Sequence, residues 1–273
     1  NKNNDQAKQN MMEIIGFADL LGWGPAIAFL AALLQTATGF GFSLIATPLF
    51  LLVYPPQTAI QLNIILGLAV SVVMLPRAAR EADAVLLRRL ALGALVGAPL
   101  GLLIFLSGNV VLLKGIVAGL ALGMALLLAV NFQFARAIGR DYGIGGASGL
   151  LTTSIGVPGP PLMLYFAGGA VSKEVARGTT LTFFLFAYGG SLGFQVAGSG
   201  LADDVGVAAL VCLPTTLLGI AIGQFVFPFI NQRIFVRLIW AFLVGTGLYL
   251  LRTLVSSGPD RDDARATRDG GIG

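Results

Sequence analysis

The sequence predicts an all-α integral membrane protein, and three observations carry that prediction. Of the 273 residues, 56% are hydrophobic and only 11% are charged, whereas about a quarter of a soluble domain is charged. The segment from Leu20 to Pro76 contains no Asp, Glu, Lys or Arg, and a helical span needs only about 20 apolar residues. The apolar runs are also continuous, whereas the strands of a transmembrane β-barrel alternate polar and apolar residues.

Hydrophobic runs separated by turn residues place the elements along the chain. The predicted helices lie at 25–38, 43–53, 58–75, 88–106, 110–130, 144–153, 160–167, 173–197, 205–227 and 234–251. Residues 1–22 form a polar lead, 131–141 a cytoplasmic linker and 256–273 a tail too polar to support a core, which we expect to be disordered. The two membrane parts are then residues 23–130 and 142–255.

Basic residues predict which side of the membrane each loop faces. The arginine-bearing loops 77–89 and 131–141 are expected in the cytoplasm, with the turn 107–109 outside. Lys173 and Arg177 mark the next cytoplasmic turn. Segment 142–169 must then begin and end in the cytoplasm, although it is too short for two full spans. We therefore predict a re-entrant hairpin of two short helices there, and by the same reasoning an oppositely oriented hairpin over 23–53.

The two membrane parts are predicted to be inverted repeats, each a broken hairpin followed by three transmembrane helices. Short motifs recur in both parts: Pro48-Leu49 and Pro161-Leu162, and Gly97-x-x-x-Gly101 and Gly219-x-x-x-Gly223. Chance similarity between apolar segments is the alternative. Inverted repeats with discontinuous helices are typical of secondary transporters, whose substrate site lies at the repeat interface.

Glycines and prolines break both hairpins, and the freed amides at a half-helix N-terminus suit an anion. The candidates in the first break are Thr38, Gly39, Gly41, Phe42, Ser43 and Thr47. Prolines lack an N–H, so hydroxyl donors are expected to matter more in the second break. Its candidates are the hydroxyls of Thr152, Thr153 and Ser154 and the N–H groups of Gly156 and Gly159. The alternative is a pair of kinks whose backbone groups are satisfied by neighbouring hydroxyls.

Three polar residues lie near the predicted starts of the helices that follow the hairpins, one in the first half and two in the second. Asn63 and Thr180 occupy equivalent places and can donate hydrogen bonds to an anion, or they can join helices. Arg177 can attract anions or can serve only topology. The stripes Gly93, Gly97, Gly101 and Gly115, Gly119, Gly123 predict close packing, either within the chain or in a homodimer.

Composition excludes several kinds of chemistry. The chain has no histidine, which rules out a Ser-His-Asp triad and His-containing zinc sites. A serine-protease interpretation of the motif at 146–149 fails for the same reason, because the serine has no histidine base. The chain also lacks a phosphate-binding Gly-x-x-x-x-Gly-Lys motif, and the predicted helices contain no acidic residue apart from Glu174, at the cytoplasmic end of helix 173–197. We therefore predict no catalytic residues, no metal, no cofactor and no nucleic-acid partner, and we interpret Cys212 as a buried apolar residue.

A family resemblance sharpens this interpretation. The motifs that carry it are Gly39-Phe40-Gly41-Phe42-Ser43 with Thr47-Pro48-Leu49, and Ser148-Gly149-Leu150-Leu151 with Pro160-Pro161-Leu162. From about Gly24 to Leu251 the chain resembles the TauE/SafE family of sulfite and organosulfonate exporters, although Ser154 and Ile155 depart from its glycine run. The resemblance implies a multi-pass protein of a bacterial-type inner membrane that moves a small sulfur anion by alternating access. An anion-selective channel and a non-transporting structural protein are the alternatives.

Overall fold

The computed structural model describes residues 22–36, 41–130, 138–167, 172–226, 244–245, 247–249 and 251–252. The described residues contain no strand. Their helices are α1 (Gly22–Thr36), α2 (Phe42–Val53), α3 (Pro56–Glu81), α4 (Ala84–Leu106), α5 (Val110–Ala129), α6 (Ile138–Ile155), α7 (Gly159–Ala167), α8 (Lys173–Ser199) and α9 (Val205–Val226). Five of these, α3, α4, α5, α8 and α9, contain stretches long and apolar enough to cross a membrane. Most of the helix predicted at 234–251 lies outside the described residues.

The basic loop predicted at 77–89 is much shorter in the structure. Helix α3 continues to Glu81, and α4 begins at Ala84. The Asp83 carboxylate accepts the N–H groups of Val85 and Leu86, both at 3.0 Å, and so caps α4. The prediction was wrong here because a change in polarity marks where a helix leaves the membrane, and the backbone hydrogen bonding continues beyond that point.

Helix α6 differs from the prediction in a similar way. It begins at Ile138, six residues earlier than expected, and its 18 residues extend about 27 Å, whereas α7 has only nine residues. Asp141, which we had assigned to the linker, therefore lies in the first turn of α6. Its side chain is buried, forms an ion pair with Arg89 at 3.0 Å and accepts a hydrogen bond from the Tyr165 hydroxyl.

Helix α4 packs directly against α6 through the first glycine stripe. A Cβ atom built on Gly97 would collide with the carbonyl oxygen of Gly146, and one on Gly101 would collide with that of Leu150. The two helices run parallel, because residue numbers rise together along the contact. The interpretation of this stripe as internal packing is confirmed. Within the described residues, nothing lies within 4 Å of a Cβ built on Gly119, so a homodimer through the second stripe stays a prediction.

Helix α9 packs against α1 in the same manner. A Cβ on Gly219 would meet the Phe29 carbonyl oxygen at 2.5 Å, and one on Gly223 would meet that of Leu33 at 2.8 Å. The matching motifs of the two halves therefore make matching contacts. The α4 pair presses against α6 and the α9 pair presses against α1, so each pair contacts a helix of the other half.

Helices α3 and α8 run antiparallel through the centre of the molecule. The Gln61 side chain donates to the Gly200 carbonyl at 3.0 Å and accepts the Ala202 N–H at 2.8 Å, just beyond the end of α8. At the other end of the pair, the Thr179 hydroxyl accepts the Asp83 N–H at 2.9 Å, just beyond the end of α3. Each central helix is thus fixed to the loop that follows the other. This reciprocity is what two repeats of opposite direction would produce, and the inversion across a membrane stays a prediction.

Candidate functional site

The two helix breaks face a very small cavity of about 10 Å³ in the interior of the protein. The end of α1, the start of α2, the α6–α7 break and one turn of α8 surround it. The lining residues are Gln35, Gly41, Ser43, Leu44, Val157, Gly159 and Phe184. Three of these, Gly41, Ser43 and Gly159, belong to the predicted site.

The N-terminus of α2 points amide groups at this cavity. Gly41 precedes the helix with φ of 107°, in the left-handed region that favours glycine, and as a glycine it has no side chain with which to cap the helix. Phe42 is buried, and its N–H donates to the Gln35 Oε1 atom at 3.2 Å. Helix geometry leaves the next two N–H groups, of Ser43 and Leu44, without an intrahelical acceptor. Both residues line the cavity, so the positive end of the helix dipole faces it.

Gln35 adds a side-chain donor that the sequence analysis missed. Its side chain is fully buried, and its oxygen must face Phe42 because an N–H can donate only to an acceptor. The Nε2 atom has no hydrogen-bond partner among the residues that the structure describes. Leaving a buried donor unsatisfied costs about 1–3 kcal/mol. A ligand oxygen in the cavity would remove that cost. The available signal was a glutamine at the polar end of an apolar helix, next to the break.

Tyr188 is a second residue that the sequence analysis missed. It is fully buried in α8, and its hydroxyl forms a hydrogen bond with the Ser43 hydroxyl. Its ring lies against Gly67 of α3, where an added Cβ would come within 2.6 Å of Cζ. A buried tyrosine normally needs a partner for its hydroxyl, which is the signal that could have identified it. The Ser43–Tyr188 pair joins the two halves beside the cavity.

The second break offers the cavity fewer amides. Gly156 has φ of 78°, and its N–H, predicted as an anion donor, already donates to the Thr152 carbonyl at 2.8 Å. This contact closes the C-terminus of α6 in the manner of a left-handed glycine cap. The Gly156 carbonyl in turn accepts the Asn63 Nδ2 donor at 2.7 Å. Gly159 begins α7, and the two prolines that follow it have no N–H to offer.

The remaining predicted hydroxyls donate to backbone carbonyls. A hydroxyl carries one proton, so each is engaged as a donor in this state. The described contacts are Thr47 to Ile155 at 3.4 Å, Thr152 to Ser148 at 2.5 Å, Thr153 to Gly149 at 3.0 Å, Ser154 to Leu151 at 3.4 Å and Thr180 to Ala176 at 2.8 Å. Thr153 also contacts the Ser191 hydroxyl at 2.7 Å. None of these residues belongs to the described lining of the cavity.

Arg177 also contacts a hairpin end. Its Nη2 atom donates to the Thr36 carbonyl at 3.1 Å, at the C-terminus of α1, where a cation is favourable to the helix dipole. Asn63 on α3 makes the corresponding contact with the end of α6. Each central helix thus holds the end of a hairpin helix from the other half. The predicted site residues Thr38 and Gly39 lie outside the described residues.

Comparison with known proteins identifies the family. Residues 25–250, which include both breaks and the four cross-half hydrogen bonds just described, match the family described as Sulfite exporter TauE/SafE. No curated protein and no solved structure matches the chain. The resemblance drawn from the glycine-rich motifs is confirmed. With most of its length matched and several apolar helices able to cross a membrane, the chain belongs to the sulfite exporter TauE/SafE family of membrane transport proteins.

Proposed function

We propose that this protein exports a small sulfur anion, sulfite or an organosulfonate, by alternating access, and that the anion binds in the cavity between the two helix breaks. The observation that carries the proposal is Gln35, a residue that lines the cavity and whose buried Nε2 donor lacks a partner within the described residues. Family membership supplies the class of cargo. A bacterial-type inner membrane is the expected location.

The donors around the cavity suit an anion with several oxygen atoms. The Gln35 amide, the two backbone N–H groups of Ser43 and Leu44, and the Ser43–Tyr188 hydroxyl pair can each address a different oxygen. All of these donors are electrically neutral. Because the lining residues include no cation, release of the anion does not require breaking a buried ion pair.

The size and the walls of the cavity favour a small cargo. Its volume of about 10 Å³ holds about one water molecule in this state, far below the roughly 300 Å³ of pockets for drug-sized ligands, so the two breaks must move apart to admit even a small anion. Val157 and Phe184 provide an apolar wall that would exclude water from the bound anion. Low polarity around a few donors strengthens each hydrogen bond to the ligand.

Alternating access would require the cross-half contacts to rearrange. The bonds from Asn63 to Gly156, from Arg177 to Thr36 and from Thr47 to Ile155 all join one half to a break in the other. Relative movement of the halves would exchange these contacts and open the cavity to one side at a time.

A negative charge introduced at Gln35 tests the site. Gln35→Glu keeps the oxygen that accepts the Phe42 N–H and replaces the free donor with a carboxyl oxygen, so we expect export of sulfite and of an alkylsulfonate from proteoliposomes to fall at least tenfold. The matched control is Gln195→Glu, which also alters a fully buried amide but lies outside the cavity lining. Equal losses in the two variants would contradict a ligand role for Gln35.

Counterflow separates a carrier from the channel alternative. Wild-type proteoliposomes loaded with unlabelled sulfonate should take up labelled sulfonate faster than empty ones, because a loaded carrier returns its site more quickly. Saturating, trans-stimulated flux is the expected result. Flux that rises linearly with concentration and does not depend on the anion on the opposite side would overturn the alternating-access mechanism. The role of Gln35 in binding would still be decided separately, by the Gln35→Glu variant.

A further inference from the structure

An apolar groove opens on the outer surface where α4, α6 and α8 meet, on a different face from the anion cavity. Small residues form its floor, including Ala94 and Ala98 of α4, Gly149 of α6 and Gly190 of α8. Aromatic side chains from α8, Phe186 and Phe194, form part of its wall. Phe186 is half exposed although it is large and apolar.

The groove has a single charged residue among its lining, and that residue lies at one end. Arg88 lies near the start of α4, and its side chain is exposed. The next residue, Arg89, is instead paired with Asp141. Arg88 therefore stands where α4 enters the membrane, a position from which an arginine can reach the polar interface.

The length of the groove matches one leaflet of a bilayer. Along α4 it runs from Arg88 to Ala98, ten residues or about 15 Å of helix. That is half of a hydrocarbon core about 30 Å thick. A trough of this length with a cation at its interfacial end has the dimensions and the charge of one lipid chain with an anionic headgroup.

We propose that this groove is a binding site for an anionic phospholipid, with one acyl chain lying against the small-residue floor and the headgroup phosphate paired with Arg88. Small residues let the chain approach the helix backbones closely, as they do for neighbouring helices. Basic sites between helices at the membrane interface recognise anionic lipid headgroups. The bound lipid would span the seam between α4, from the first half, and α8, from the second.

The test compares two glycines and two arginines. In each comparison one residue lines the groove and the other, its control, does not. Gly190 and Gly193 both lie exposed on α8 with nothing within 4 Å of an added Cβ, yet only Gly190 lines the groove. Gly190→Leu should fill the groove and Gly193→Leu should not. Arg80, exposed near the end of α3, is the control for Arg88. Binding of phosphatidylglycerol and of phosphatidylcholine with identical chains is measured by native mass spectrometry of the purified protein.

We expect Gly190→Leu to lower phosphatidylglycerol occupancy at least fivefold, with Gly193→Leu within twofold of wild type. Arg88→Gln should lower the preference for phosphatidylglycerol over phosphatidylcholine at least threefold, and Arg80→Gln should not change it. Excess inorganic phosphate should fail to displace the lipid, since the chain contributes most of the contact. Equal occupancy in the two leucine variants, or no headgroup preference in the wild type, would overturn the proposal. Displacement by phosphate alone would also overturn it, because the site would then recognise a free anion.

Discussion

The break between α1 and α2 and the break between α6 and α7 lie at matching places in the two halves, but they present opposite sets of groups to the cavity. At the first break, α2 begins with amides free of intrahelical partners and with the Gln35 donor beside them. At the second, Gly156 closes α6, Asn63 holds the closed end, and prolines remove the amides of α7. The first break is rich in unused donors, and the second has almost none.

In the inverted repeat that we predict, this difference would make the proposed site asymmetric. Both halves supply the same backbone break, but only one leaves its donors available to a ligand. The second break supplies the rigid wall, because proline fixes φ and an engaged glycine cap fixes the end of α6. A mutation at the first break should therefore change anion binding, and one at the second should chiefly change stability.

Topology gives the sharpest test, because its outcome is all or none. Single cysteines at Glu81 and Asp203, in a Cys212→Ser background, should be labelled from opposite faces of the membrane. Glu81 is the last residue of α3, Asp203 lies just beyond the end of α8, and the two helices run antiparallel. Labelling of both from the same side would remove the inverted repeat and with it the equivalence of the two breaks.

Alanine substitutions at the glycines with positive φ distinguish effects on anion binding from effects on stability. Gly41→Ala places a Cβ at φ of 107°, a strain of about 1–2 kcal/mol, and should lower transport about tenfold by moving the first turn of α2. Gly108→Ala imposes comparable strain at φ of 60° in the α4–α5 turn and should leave transport unchanged.

Gly156→Ala completes this series. Its Cβ would come within 2.6 Å of the Asn63 Nδ2 atom as well as straining the backbone, so this variant should show the lowest melting temperature of the three. Transport and melting temperature are measured on one preparation of each variant. A loss of transport for Gly156→Ala that exceeds the loss for Gly41→Ala would reverse the roles given to the breaks.

Alanine substitutions of two serines compare the contribution of a hydroxyl group at each break. Ser43→Ala should weaken anion binding about tenfold, the size of a lost hydrogen bond to a charged ligand, since Ser43 lines the cavity. Ser154→Ala should leave affinity within twofold, because its hydroxyl donates to Leu151 in its own helix. This reverses the expectation, drawn from the proline content, that hydroxyls matter more in the second break. Isothermal titration with sulfite decides it, and a tenfold loss in Ser154→Ala alone would restore the earlier expectation.

The smallest effect on affinity is expected at Asn63. Asn63→Leu leaves the buried Gly156 carbonyl without its donor and should cost about 1–3 kcal/mol of stability, with anion affinity nearly unchanged. Thr180→Val, at the equivalent place in α8, removes a hydroxyl that donates only within its own helix and should cost less. Thermal unfolding with and without ligand separates the two quantities. A marked affinity loss at unchanged stability would move Asn63 into the ligand site.

Most of the helices and both breaks were predictable, because continuous apolar runs and glycine or proline interruptions are local signals. The ends of α3 and α6 were not, since charged residues such as Arg80 and Asp141 continue a helix beyond the apolar run. Gln35 and Tyr188 escaped notice for a different reason. A single polar residue in an apolar run has the same sequence signature whether it joins two helices or faces a ligand, and only the packing of distant segments distinguishes the two.

The contact between α9 and α1 can form only late in the synthesis of the chain. Gly223 rests on the backbone at Leu33, so the two partners are separated by 190 residues of chain. At about 5–20 residues per second, α1 waits on the order of 10–40 s after it is made before its packing partner is translated. Helix α1 therefore reaches its final packed environment only late in synthesis.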